Sequence, residues 1–333
     1  MKGIDVSTKI LTEKGWKLYD ELTGNDRISV ISMNKEIMYE KIAGMNLEEY
    51  EGELYTIENR WNDFFIPPES SLILKYIKCG TGGTKYSEDE WHEEKVKDIT
   101  PHGGFNILNS GIYNGENSIG ELQAMLIGWI ISLGFKNYEE KIEINQSMEL
   151  AIEDFAILLE IVNSLNVEHE YSVNEKMTID DEHPFKEQTI KILPVESNKW
   201  IYEKFTDEFK PKWELLHIKH NELEMLFEGM NISNNAYFEN ELITYINNDI
   251  DIQEFYRVLC LHLGYVTNFV KKRRAYASLT TQVHEKNFTT IFHVNYHDIF
   301  KKIEHYKGTF WYPKITHKHF VVQRNEKIFV VGV

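Results

Sequence analysis

Short apolar runs alternate with turn residues at both ends of the chain, whereas the middle carries longer apolar stripes with helical spacing. Residues 9–11, 27–32, 53–58 and 72–77 are β-prone and separated by turn signals such as Glu13-Lys14-Gly15, Thr23-Gly24-Asn25-Asp26 and Pro67-Pro68. At the other end, 309–315, 319–323 and 327–331 predict strands, with Arg324-Asn325-Glu326 as a tight turn. The pattern predicts an α+β fold in which both chain ends, 1–80 and 295–333, build one all-β domain. A linker or extension over 81–115, opening on the Gly-rich segment around Cys79, leads to an inserted helical domain over 116–294.

That insertion repeats itself. Residues 122–135 (LQAMLIGWIISLGF) predict an apolar helix with Gly128 and Ser132 four apart, and 223–235 (LEMLFEGMNISNN) places Gly229 and Ser233 the same way. Small residues at i and i+4 clear one stripe of side-chain bulk, so two such helices can approach backbone to backbone. Each is followed by an extended segment (141–147; 237–245) and then an amphipathic helix (149–165; 252–263). Two copies, 116–205 and 206–294, predict a pseudo-two-fold domain. The competing reading is a pair of ordinary core helices whose glycines match by coincidence.

Composition narrows the function classes. The 333 residues hold 53 acidic against 36 basic side chains, a net charge of -17, which argues against a protein that coats nucleic acid through excess Lys and Arg. Any DNA contact needs a local basic face, and the strongest candidate is Lys271-Lys272-Arg273-Arg274; a solvated charge cluster at a helix exit explains it equally well. Two cysteines, Cys79 and Cys260, exclude a disulfide framework and a thiolate zinc site and fit a reducing compartment. The longest apolar stretch, 124–135, falls short of the roughly 20 residues that span a bilayer, so the expectation is a cytoplasmic chain with no membrane partner. His293 with His297, and His317 with His319, have spacings that can share one side of an element; without a third ligand, surface or half-buried histidines are the favoured reading.

The motifs together resemble an intein: a Hint-type splicing module interrupted by a LAGLIDADG homing endonuclease domain. Ser7-Thr8-Lys9-Ile10-Leu11-Thr12-Glu13-Lys14-Gly15-Trp16 and Tyr50-Glu51-Gly52-Glu53-Leu54-Tyr55 resemble the opening strands of such modules. Tyr306-Lys307-Gly308-Thr309-Phe310-Trp311 and the segment 320–329 resemble their final strands. Leu126-Ile127-Gly128-Trp129 and Phe227-Glu228-Gly229-Met230 are similar to the two LAGLIDADG helices, and Lys210-Pro211-Lys212-Trp213 to the segment before the second. The resemblance implies an all-β Hint-like horseshoe carrying a pseudo-two-fold αββαββα domain.

It also implies where chemistry would reside, and those positions are empty of it. The splicing nucleophile aligns with Gly3, the Thr-x-x-His activating pair with Pro67-Pro68-Glu69-Ser70, the terminal Asn with Val333, and a frequent Cys with Tyr312. A one-residue slip at Ser7 or Ser70 would restore a single group. The two metal-binding acids of the nuclease align with Leu133 and Asn234, neither of which supplies a negative charge. The expectation is a catalytically inactive chain with no catalytic residue, metal or other cofactor and no small-molecule substrate. Met1, two residues ahead of Gly3, reads as the start of an independent gene product. Two functions stay open: recognition of double-stranded DNA, or a structural or assembly subunit of a phage particle, the virion included, or of a viral protein complex.

Overall fold

The computed structural model describes residues 1–77, 90–99, 104–176, 185–232, 236–239, 242–272, 278–284, 286–291 and 300–333. The fold is α+β, mostly strands, with five α-helices among the described residues. Contacts divide the chain into two units: Met1–Asn114 with Cys260–Phe269 and Val283–Val333, and Gly115–Leu259 with Val270–Gln282.

In the first unit the two ends of the chain pair directly. Strand Lys9–Thr12 sits beside His319–Arg324, with Lys9 opposite Gln323 and Ile10 opposite Val322. His319–Arg324 pairs with Lys327–Gly332 through a turn in which Asn325 and Glu326 both adopt positive φ, 44° and 64°, the geometry that matches the twist of a two-residue hairpin. Ser71–Tyr76 continues the sheet and Phe105–Leu108 follows it, so part of the polar stretch 81–115 is sheet. A second, four-stranded sheet runs Ile4–Asp5, Phe300–Lys314, Gly44–Glu58, Asp63–Ile66. Alternating apolar positions of these strands, including Ile10, Ile28, Phe64, Leu72, Trp311, Phe320 and Phe329, close one buried core. The strand Gly44–Glu58 begins nine residues before the predicted 53. Its first half, GMNLEEYEGE, is largely solvent-facing and carries no apolar alternation to betray it.

The second unit opens on α1 (Glu121–Leu133), followed by strands Gly134–Lys136 and Ile142–Ser147, α2 (Met148–Ser164), and strands His169–Lys176 and Phe185–Ile192. After the short α3 (Lys199–Tyr202) the order returns with α4 (His220–Ile232), strands Ala236–Glu239 and Leu242–Ile246, and α5 (Ile250–His262); strands Val266–Lys272 and Ser278–His284 complete the repeat, the division into units falling within α5 and within each of these two strands. Each half folds its four strands in the same order, first, second, fourth, third. The predicted helix 122–135 stops two residues early because Gly134 turns extended, φ -75° and ψ 145°, and starts a strand.

Among the described residues no helix is long and apolar enough to cross a membrane.

Candidate nucleic-acid interface

The pairing of α1 with α4 organises the second unit. A Cβ on Gly128 would collide with the backbone carbonyl of Leu226, and a Cβ on Gly229 with that of Met125. Each glycine therefore presses against the main chain of the other helix. Ser132 lies one turn beyond Gly128; its Oγ donates to the Met230 carbonyl at 3.0 Å and sits 3.0 Å from Tyr245 Oη. Ser233 lies outside the described residues. The N-terminal ends are tied as well. Glu222 of α4 accepts from Ile119 N–H at 2.9 Å, from Gly120 N–H at 3.1 Å and from Ser118 Oγ, anchoring the segment that enters α1, whose N-cap Gly120 has no side chain. Burial pushes its carboxyl up, but the bonds from Ser118, Ile119 and Gly120 outweigh this and hold it below the ordinary value.

At the other end of α1 the resemblance expects an acid, and Leu133 stands there half-buried. Its partner position, Asn234, lies outside the described residues. Among the described residues no three His, Cys, Asp or Glu side chains gather as a metal site.

Strand register sets the charge of the first sheet. Ile142, Ile144, Ile190 and Ile192 are fully buried on one face, where Phe155 of α2 meets Tyr171. The opposite face carries the row Phe135, Glu143, Lys191, Glu170, then Asn145, Thr189, Ser172, with Glu187 beyond. Three carboxylates on this face thus stand against Lys191, whose Nζ lies 3.2 Å from Glu143, and Lys141 at its edge. Lys141 at the strand start is 3.0 Å from Glu170 and 3.1 Å from Glu139. In the second sheet Tyr245 points to the helices, stacked 4.0 Å from Tyr256. Its cross-face neighbours Tyr237, Leu242, Thr244 and Ile246 bring no cation.

The predicted basic run is only partly placed. Lys271 is exposed on strand Val266–Lys272, Lys272 ends that strand, and Arg273 and Arg274 lie outside the described residues. Cys79, His293 and His297 lie outside them too. The other histidine pair does not form a site: His317 Nδ1 lies 2.9 Å from Glu40, while His319 is buried with its Nε2 3.3 Å from Ser71 Oγ. Burial depresses His319 to about 4. Cys260 is a buried cysteine of α5.

In the first unit, Gly3 has φ +129°, and a Cβ there would lie 2.7 Å from the Trp311 carbonyl oxygen. Its N–H donates to Ser70 Oγ at 3.0 Å, and Ser70 Oγ in turn lies 3.2 Å from the Gly3 carbonyl. Gly3 and Ser70, two positions singled out by the resemblance, thus lie in contact. What it missed is an open cleft lined by Lys2, Glu40, Lys41, Tyr312, Lys314 and Lys318, whose residues come from four separated stretches with no local pattern.

No protein-family model matches this sequence, and no curated protein does. Solved structures give a distant likeness. The homing endonuclease I-DmoI in complex with DNA and Mn is 10% identical, with a TM-score of 0.34 over 54% of this chain and 95% of that one. Full-length DUF199/WhiA from Thermatoga maritima is 11% identical, with a TM-score of 0.35 over 51% of this chain and 54% of that one. The N-terminal LAGLIDADG domain of DUF199/WhiA is 12% identical, with a TM-score of 0.32 over 51% and 80%. The chain is thus distantly similar to LAGLIDADG structures over about half its length.

Proposed function

We propose that this chain is a non-catalytic binding protein, a degenerate Hint-like β module carrying a LAGLIDADG-like domain whose frame outlived its chemistry. The observation that carries the reading is Leu133. The Gly128 and Gly229 contact that holds the helix pair is intact, while the residue at the helix end has no ligand atom for a hard cation. Gly3 supports it in the other unit, since its backbone leaves no room for the Cβ that any nucleophile would need. Incubated with Mg²⁺ or Mn²⁺ and plasmid DNA, the protein is expected to leave the DNA intact. Metal-dependent nicking or linearisation would overturn the reading.

The charge pattern favours a protein ligand over nucleic acid, making the chain an assembly subunit. Around the open face of the first sheet Glu139, Glu143, Glu170 and Glu187 outnumber Lys141 and Lys191, which disfavours a phosphate backbone. Tyr171 and Val173, 47% and 45% exposed on the outer strand, add apolar surface of the kind a protein contact buries. A stoichiometric partner free of nucleic acid should co-purify from the native source; a chain that elutes alone refutes this.

One observation favours a second reading, duplex DNA: Lys271 is exposed at the start of the basic run Lys271-Lys272-Arg273-Arg274. Filter binding to randomised duplexes decides it. No retention at about 50 mM salt, or retention insensitive to salt, eliminates DNA, because phosphate contacts release counterions.

A further inference from the structure

We propose that the lysine cleft of the first unit binds a ligand bearing two or more phosphates. The cleft measures about 560 Å³ and gathers Lys2, Lys41, Lys314 and Lys318 around Tyr312, Pro313 and Ile315. One side-chain carboxylate lines it, and that one is engaged. Glu40 accepts from the backbone N–H groups of Thr316 and His317 and from the His317 ring, and although burial raises its pKa these bonds bring it down to about 2.

What distinguishes the cleft is the gathering of lysines, not their pairing. Some exposed lysines of the first unit meet glutamates, Lys302 with Glu53, Lys307 with Glu51, Lys95 and Lys97 with Glu69, while Lys9, Lys14 and Lys301 have no carboxylate partner among the described residues. In the cleft, Lys2 lies over the Tyr312 ring at 5.2 Å, Lys318 reaches Glu93 at 3.3 Å, and Lys41 and Lys314 have no carboxylate partner among the described residues. Lys41 and Lys314 carry no counter-charge of their own, and an anion that spans them supplies it. The chain's charge of -17 does not cancel this, because charges beyond a Debye length of about 8 Å are screened at physiological salt. Lysine binds phosphate as a point charge, so several ammonium groups around an open cleft suit a chain of phosphates better than a single planar carboxylate.

The phosphates have two sources, a free polyphosphate or a nucleic-acid strand, and separate titrations distinguish them. The proposal is independent of the binding role read above. Calorimetry on the full chain uses inorganic tripolyphosphate in one arm and a short single-stranded oligodeoxynucleotide in the other. Saturable binding is expected in at least one arm, falling at least about tenfold between 50 and 200 mM salt, as several phosphate contacts require. The exposed pair Lys41→Glu with Lys314→Glu should weaken binding at least about tenfold at unchanged melting temperature, like-charge repulsion replacing attraction. Lys302→Glu with Lys307→Glu should leave affinity unchanged. Tripolyphosphate alone identifies a free polyphosphate, the oligonucleotide alone a strand, and both a shared phosphate site. Absence of saturable binding in both arms, or equal weakening by the two variants, overturns the proposal.

Discussion

The two central helices occupy matching places and reach them with different compositions. α1 buries nine residues in succession, Ala124 to Ser132, whereas α4 buries Glu222, Leu223, Leu226, Gly229 and Met230 and exposes or half-exposes the residues between. α1 is covered on every side; α4 is amphipathic. What they share is the one stripe where a side chain would not fit, so the glycine stripe is the invariant of the packing and apolarity on the other faces is set by what covers them.

The sharpest way to break this comparison is to fill the stripe. Gly128→Val and Gly229→Val each drive a side chain into opposing backbone, which cannot rotate away, and each is expected to destabilise the second unit by about 3 kcal/mol or more. Gly24→Ala, where nothing lies within 4 Å of the added Cβ, is the control and should change stability little. Chemical denaturation followed by circular dichroism reads both. Equal effects at Gly24 and Gly128 would mean that the helices are not held by close approach.

Much of this packing was legible in the sequence because it depends on residue types at fixed spacing. Gly128 and Gly229 announce themselves by their place in apolar runs, and the turn at Asn325 and Glu326 by its residues between two β-prone runs. The charge of the sheet faces was not legible. Glu143, Lys191 and Glu170 form one row only through strand register, which pairs residues 21 and 48 positions apart. The lysine cleft stayed hidden for the same reason: Lys2, Lys41 and Lys314 lie far apart along the chain and carry no shared motif. Glu222 was unread because a carboxylate in the first turn of a helix is ordinary there. Its bonds to the segment before α1 depend on the tertiary pairing.

Glu222 sharpens the difference between the helices next. From α4 it anchors the segment that enters α1, so Glu222→Ala should cost about 2 kcal/mol by leaving the N–H groups of Ile119 and Gly120 without their acceptor. Hydrogen exchange should show the loss first at those two amides. A uniform loss across α4 with those two amides unchanged would contradict this anchor.

The smallest effect separates the two units by acid. His319 is buried and depressed to about 4 against an ordinary 6.5, so the unfolded chain takes up a proton that the folded first unit resists. Its contribution is fully present above pH 6.5 and declines as pH falls towards 4, by about 1.4 kcal/mol for each pH unit in that window. Glu222 in the second unit is a carboxylate held below its ordinary 4.5, so its contribution persists through that window and declines only as pH falls below 4.5. Hydrogen exchange at pH 6.5 and 5.5, corrected for intrinsic rates, should therefore loosen strand His319–Arg324 while α1 keeps its protection. His319→Gln should flatten the response of the strand. If α1 loosens in parallel over that pH step, or the variant titrates like the native chain, the buried imidazole is not the group that makes the first unit acid-sensitive.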